Sequence, residues 1–166
     1  MKKNLRIYLC GMALLVSSPA LAHNTFVKLG AGLGIPYGGF GAAAEIGTSY
    51  VSVLGGVGSL VYGPGWSVGG RVYALPPEKV WRPHATVVYG ATTFYKITGA
   101  YETNGILKGF GIYLGVDQDI GRPGGSVMTY GLGYVTHESL PAGLTESKAL
   151  GSPVKILLGW NYRFAL

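Results

Sequence analysis

The sequence has little charge, little cysteine and no long apolar run. Charged residues make up 12% of its 166 positions, and its one cysteine, Cys10, lies close to the N-terminus. The chain beyond that point therefore has no disulfide framework and no cysteine metal site, and its three histidines are too scattered to form a metal-ligand cluster. After residue 22, no segment approaches the ~20 apolar residues of a membrane helix. These absences exclude disulfide-stabilised scaffolds and helical membrane proteins, and we expect neither a metal nor a cofactor.

The first 22 residues have the three-part pattern of a secretory signal peptide. Basic residues at positions 2, 3 and 6 precede an apolar stretch over residues 7–16, and Ala20-Leu21-Ala22 fits a cleavage site. The stretch is too short to cross the bilayer as a stop-transfer helix. We therefore predict a cleaved signal peptide at 1–22 and one mature domain at 23–166.

The charge left in the predicted mature domain is small and mixed in sign. Of the 13 basic residues in the sequence, ten remain after the signal is removed, against seven acidic ones, which gives a net charge of +3. A nucleic-acid site would need basic residues clustered on one face. The mild excess does not support such a site, and we predict no nucleic-acid partner.

The mature sequence is dominated by apolar residues that alternate at period two. From Val154 to Phe164, the even positions are apolar and end in aromatics, whereas most odd positions are polar or glycine. This periodicity is that of a strand and not of a helix. Similar segments of about ten residues, the length of a tilted membrane strand, recur along the chain. We predict eight strands, near residues 26–33, 40–46, 51–61, 66–74, 84–96, 106–117, 128–134 and 154–164.

The positions of the links between these strands fit an outer-membrane barrel. If the N-terminus is periplasmic, the second, fourth and sixth links should be short, and they fall near residues 47–49, 76–81 and 121–125. The last outward link, from His137 to Pro153, is the longest. Such a loop is uncommon inside a compact soluble domain but ordinary on the extracellular side of an outer-membrane barrel.

The composition of the two strand faces favours a membrane barrel over a soluble one. The face opposite the apolar rows is mostly glycine, whereas the wet face of a soluble sandwich is rich in Lys, Glu, Thr and Ser. Small inward residues let a narrow barrel close. The apolar rows also carry aromatics, as do the interfacial girdles of membrane barrels. The residues predicted to lie at the lipid interface are Trp66, Tyr95, Phe110, Tyr134 and Trp160.

These patterns predict an all-β fold, an eight-stranded antiparallel up-and-down transmembrane β-barrel preceded by the cleaved signal peptide. The alternative is a soluble periplasmic barrel that holds the aromatic residues in its core.

The C-terminal strand resembles a known assembly signal. Gly159-Trp160-Asn161-Tyr162-Arg163-Phe164 is similar to the β-signal Gly-x-x-apolar-x-aromatic, with Gly159, Tyr162 and Phe164 at its defined positions. The whole mature chain resembles in layout the small bacterial outer-membrane β-barrel proteins. The resemblance implies a location in the outer membrane of a Gram-negative bacterium. It also implies contact with the outer-membrane assembly machinery and with outer-membrane lipid or lipopolysaccharide, and it brings no catalytic residues. We expect a monomer.

The inward rows carry scattered polar and charged side chains. We predict that most of them form ion pairs that fill the lumen, because a buried charge is tolerated only when it is paired. Arg71 and Glu45 are expected to meet. The residues of this predicted network, with His84 nearby, are Lys28, Glu45, Arg71, Lys96, Asp117, Lys155, Asn161 and Arg163.

A filled lumen predicts a non-enzymatic envelope protein with a structural or surface-interaction role. Five of the predicted lumen residues are basic and two are acidic, so the first alternative is a narrow, weakly anion-favouring pore. Lys108 is the one charge on an otherwise lipid-facing row, near the outer rim, where it either meets lipopolysaccharide phosphates or extends to the interface.

A second alternative function comes from the start of the long loop. His137-Glu138-Ser139 resembles the His-x-Ser of outer-membrane lipid A deacylase barrels. A His–Ser pair with a carboxylate is the minimum for acyl transfer, so this match predicts a lipid A-modifying acyl hydrolase that uses His137 and Ser139. Because the match covers only two residues, we interpret the segment as a solvated loop cap.

Overall fold

The computed structural model describes residues 25–60, 63–97, 103–121, 125–137, 149–150 and 152–166. The predicted signal peptide at 1–22 lies outside these residues. Among them, no helix has the length and apolarity that crossing a bilayer requires. The described strands are β1 Phe26–Gly34, β2 Gly39–Gly47, β3 Val51–Leu60, β4 Gly63–Tyr73, β5 Trp81–Ile97, β6 Thr103–Ile120, β7 Ser126–Val135, β8 Ala149–Leu150 and β9 Val154–Ala165.

Eight of these strands close into an antiparallel barrel. Each strand from β1 to β6 pairs with the next one along the chain, and β9 pairs with both β7 and β1, so the ring has no free edge. The two-residue β8 lies outside the ring and pairs with β5. The predicted all-β fold, an eight-stranded antiparallel up-and-down barrel, is therefore confirmed.

The two ends of the barrel differ in their connections. At the terminal end, where β1 begins and β9 ends, β2 joins β3 through residues 48–50 and β4 joins β5 through residues 74–80. The opposite end, called here the loop end, carries the links from β1 to β2, β3 to β4, β5 to β6 and β7 to β9.

Two strands are much longer than the sequence predicts. β5 has 17 residues and β6 has 18. Compared with the predicted segments, β5 gains three residues at the terminal end and one at the loop end, and β6 gains three at each end. At the loop end, the hairpin that they form continues past the ring. The last pair between β6 and β7 is Gly111 with Val135, whereas β5 and β6 stay paired as far as Ile97 with Thr103. A register shift between Ala91 and Thr93 marks the place where the hairpin leaves the barrel.

The outer face of the barrel is apolar and its interior contains polar residues, the reverse of the arrangement in a water-soluble protein. Outward residues are apolar and exposed; Phe40, Leu114 and Ile156, for example, keep 71%, 70% and 69% of their surface accessible. Inward residues include buried charged and hydroxyl side chains as well as glycines. The alternation follows from the pleat, which points successive side chains to opposite faces.

The first link at the loop end folds back into the barrel. Residues Ile35–Tyr37 form one short 3-10 turn, here called the lumen turn, and all three are buried. Gly34 and Gly38 flank it with φ of 121° and 67°, values that favour glycine. The sequence pattern predicts no structure for this link between the first two strands, and its placement inside the lumen is a finding of the structure.

Candidate functional site: the barrel lumen

Four charged residues meet at the centre of the lumen. Lys28 Nζ lies 2.8 Å from Glu45 Oε2 and 2.7 Å from Asp117 Oδ2. Arg71 Nη1 lies 2.8 Å from the same Glu45 oxygen and 3.8 Å from Asp117 Oδ2. All four side chains are buried. Because they come from β1, β2, β4 and β6, the cluster ties together strands on opposite sides of the ring.

Hydroxyl groups complete the coordination of the two carboxylates. Tyr73 Oη and Ser52 Oγ each donate a 2.6 Å hydrogen bond to Glu45 Oε1. Thr129 Oγ1 donates a 2.6 Å bond to Asp117 Oδ1. Buried carboxylates with this many short hydrogen bonds are stabilised in their ionised form.

A second group of residues occupies the terminal end of the lumen. Arg163 and Asp119 form an ion pair with N–O distances of 3.1 Å. Arg82 places its guanidinium 3.8 Å from the ring centroid of Tyr73 and donates a 2.7 Å bond from Nη2 to the carbonyl of Ser49. This bond ties the interior to the link between β2 and β3.

An apolar layer lies above the charged cluster, toward the loop end. The lumen turn supplies Ile35 and Tyr37, which pack with buried apolar residues projected from five strands. Tyr37 Oη donates a 3.1 Å hydrogen bond to Asn161 Oδ1, and Asn161 Nδ2 donates a 3.0 Å bond to Thr129 Oγ1. The remaining members of this layer are Leu54, Val88, Tyr113, Val135 and Leu157.

Glycine makes room for the lumen turn. A Cβ atom at Gly159 would overlap the hydroxyl and ring of Tyr37, and one at Gly56 would overlap the carbonyl of Pro36. Gly159, predicted as part of the assembly signal, therefore also fits an internal packing site. A small cavity remains between Tyr37, Glu45, Arg71 and Asn161, with room for about one water molecule.

The structure brings most of the predicted lumen residues together. Lys28, Glu45, Arg71 and Asp117 form the central cluster, Asn161 joins it through Thr129, and Arg163 lies at the terminal end. His84 is adjacent, with Nε2 3.5 Å from Asp117 Oδ1. Lys155 is half-buried on the inward row of β9, nearer the loop end than Leu157. The side chain of Lys96 is outside the described part of the chain.

Sequence reasoning missed four contributors to the lumen. Arg82 lies two positions before His84, and Asp119 lies two positions after Asp117, so period-two alternation extended by one step would have found both. Tyr73 stands on the inward row beside Arg71, but an aromatic ring in a charged cluster has no local signal. The lumen turn has none either, since a Gly- and Pro-containing link predicts only a change of direction.

These additions correct the expected charge balance. Five basic and two acidic lumen residues were predicted, whereas the fully buried charged side chains described in the lumen are four basic and three acidic. The buried basic residues are Lys28, Arg71, Arg82 and Arg163, and the acidic ones are Glu45, Asp117 and Asp119. The half-buried Lys155 adds a fifth basic group to the described inward rows.

The predicted interface aromatics that the structure describes point outward. Trp66, Phe110, Tyr134 and Trp160 are all exposed, with Trp160 near the middle of β9. The side chain of Tyr95 lies outside the described residues. Tyr162 and Phe164 of the predicted assembly signal are also exposed, and their tilted rings are in contact with centroids 4.8 Å apart.

The residues of the hydrolase alternative are only partly described. His137 is exposed just beyond the end of β7, and Ser139 lies outside the described residues. In the part of the chain that the structure covers, no three His, Cys, Asp or Glu side chains come together as metal ligands.

Comparison with solved structures supports the same architecture. The chain is similar to the crystal structure of the N-terminal β-barrel domain of Pseudomonas aeruginosa OprF, with a TM-score of 0.55 and 13% sequence identity. The match covers 85% of this chain and 97% of that one. At this identity the likeness concerns the fold. No family model matches the sequence, and a search of curated proteins finds no match.

Proposed function

We propose that this protein is an integral barrel of the Gram-negative outer membrane, with a structural or surface-interaction role and a lumen closed by its own side chains. The observation that carries the proposal is the polarity of the barrel wall. Its outside is apolar and exposed all the way round, whereas its inside holds ion pairs.

The exposed apolar surface argues against a soluble barrel. Soluble monomers rarely expose contiguous apolar patches larger than a few hundred Å². Here every strand of the ring contributes exposed apolar side chains, among them Leu29, Val53, Val87 and Leu132. Lipid removes the cost of that exposure, and a closed ring satisfies the backbone hydrogen bonds that lipid cannot.

The contents of the lumen argue against a pore. The charged cluster spans the ring, the lumen turn packs above it, and the cavity between them has room for about one water molecule. The near balance of buried positive and negative groups also weakens the case for anion selectivity. A non-conducting envelope protein is the better interpretation.

The proposed partners follow from the location. The apolar wall contacts outer-membrane lipid, including lipopolysaccharide in the outer leaflet. Gly159, Tyr162 and Phe164 are proposed to be recognised by the outer-membrane assembly machinery through β9. Because the ring is closed by its own chain, the proposed state is a monomer.

The experiment that tests this proposal compares heated and unheated samples of the outer-membrane fraction by gel electrophoresis in detergent. A folded membrane barrel resists cold detergent, since its sheet has no edge from which to unravel. We expect the unheated protein to migrate differently from the heated one. Recovery in the soluble periplasmic fraction with no change in mobility would contradict the membrane proposal.

A further inference from the structure

The outer wall carries one isolated positive charge in a distinctive setting. Lys108 of β6 is exposed, and among the side chains that the structure describes it is the one charged group on the outward rows of the strands. Its partner on β5 is Ala91. Lys108 Nζ lies 5.9 Å from the ring centroid of Trp66 on β4, so the lysine reaches across β5 along the wall.

A patch of aromatic rings lies directly below this lysine. Trp66 packs edge-on against Tyr89 with centroids 6.0 Å apart, and Tyr89 contacts Phe110 at 5.0 Å. Tyr89 and Phe110 are paired across β5 and β6, one pair of outward residues nearer the terminal end than Ala91 and Lys108. The ammonium group therefore lies on the loop-end side of an apolar aromatic surface.

The height of the patch places it at the rim of the barrel. β7 ends at Val135, which pairs with Gly111, and the amide of Thr136 donates a 2.8 Å bond to the carbonyl of Phe110. Lys108 lies beyond this point, where the long hairpin leaves the ring. We take the terminal end as periplasmic, so that the loop end faces outward and Lys108 is level with the headgroups of the outer leaflet.

From this arrangement we propose that Lys108, Trp66, Tyr89 and Phe110 form a binding site for a phosphate-bearing lipid of the outer leaflet. The ammonium group would contact the phosphate as a point charge, and the aromatic surface below would contact the acyl chains. No acidic side chain on the described outward rows opposes the phosphate. The inference rests on the proposed membrane location and assigns that location a specific lipid contact.

The test is a titration of the purified, folded protein with bis-phosphorylated lipid A in detergent, followed by native mass spectrometry. We expect Lys108→Gln to weaken binding about fivefold, the contribution of one lysine near an anionic surface, and Lys108→Arg to retain it. Lys79→Gln is the matched control, because Lys79 is an exposed lysine in the link between β4 and β5 at the terminal end. Equal binding by wild type and Lys108→Gln would overturn the proposal.

Two further arms identify what the site recognises. Lipid A without its phosphates should bind the wild type only as weakly as intact lipid A binds Lys108→Gln. If dephosphorylated lipid A binds the wild type as well as intact lipid A does, the site recognises only the acyl chains. Inorganic phosphate should not displace intact lipid A, and displacement would overturn the assignment to a lipid. The heat-dependent change in gel mobility of the same samples separates the two proposals. If the protein is not a membrane barrel, the wild type shows no such change. If only the lipid site is wrong, the wild type still shows it.

Discussion

Asp117 is the carboxylate on which the polar contacts of the lumen converge. It accepts hydrogen bonds from Lys28 at 2.7 Å and Thr129 at 2.6 Å, the hydroxyl oxygen of Tyr73 lies 3.0 Å from it, and it is completely buried. Without its charge, Lys28 and Arg71 would share Glu45 as their one nearby anion. A cation buried without its counter-charge is strongly unfavourable, so the stability of the barrel should depend on this residue.

We expect Asp117→Asn to lower the free energy of unfolding by about 3 kcal/mol, the low end of the range for breaking a buried ion pair by removing one partner. The measurement is urea unfolding of protein folded into lipid vesicles, followed by tryptophan fluorescence. Glu78→Gln serves as the control, since Glu78 is exposed in the link between β4 and β5 and should change stability by less than about 0.5 kcal/mol. Equal effects of the two substitutions would refute the ion-pair role.

At the scale of the element, the lumen turn packs against β9 at Gly159, which has no side chain. Gly159 leaves the space that the ring and hydroxyl of Tyr37 occupy. The same glycine belongs to the predicted assembly signal. A substitution at Gly159 could therefore act through its packing against Tyr37 or through recognition by the assembly machinery, and the two effects can be measured separately.

We expect Gly159→Ala to destabilise the barrel by about 1–3 kcal/mol, the usual cost of overpacking, and Tyr37→Ala to remove most of that cost in the double variant. Refolding the purified protein into vesicles without assembly machinery isolates the packing effect. If the alanine costs the same with and without Tyr37, the two residues are not coupled, and the packing explanation is wrong.

At the scale of the whole molecule, the barrel has the polarity of a membrane protein and the interior of a filled one. Layers of side chains follow one another along its axis: Arg82 with the Arg163–Asp119 pair, the central cluster around Asp117, and the apolar layer around Tyr37. Each layer is tied to several strands. A continuous water path would have to break contacts in all of them.

Wild-type protein reconstituted in planar bilayers should therefore give no steady single-channel current. A water-filled porin inserted in the same way shows that the assay detects conduction. Stable current steps from the wild type, with a preference for anions, would instead favour the pore alternative and would require the central cluster to rearrange in the membrane.

Much of the architecture was predictable because its signals are local. Period-two alternation assigns each strand residue to one face without knowledge of its neighbours, so the eight-stranded fold and the inward position of Lys28, Arg71 and Asn161 could be derived from the sequence. The contact between Arg71 and Glu45, now seen at 2.8 Å, followed from opposite charges on one face. Strand ends were less certain, and that is why Arg82 and Asp119 were missed.

The sequence by itself therefore determined the strands and their two faces, since each depends on residues one or two positions apart, and the number and polarity of the strands predicted a barrel. Only the tertiary structure decided which groups meet across the lumen. Lys28 and Asp117 are 89 positions apart on strands that are not neighbours in the ring, so their contact depends on how the barrel closes. The lumen turn was decided in the same way, because the space for Tyr37 exists only once β1 and β9 have brought Gly159 beneath it.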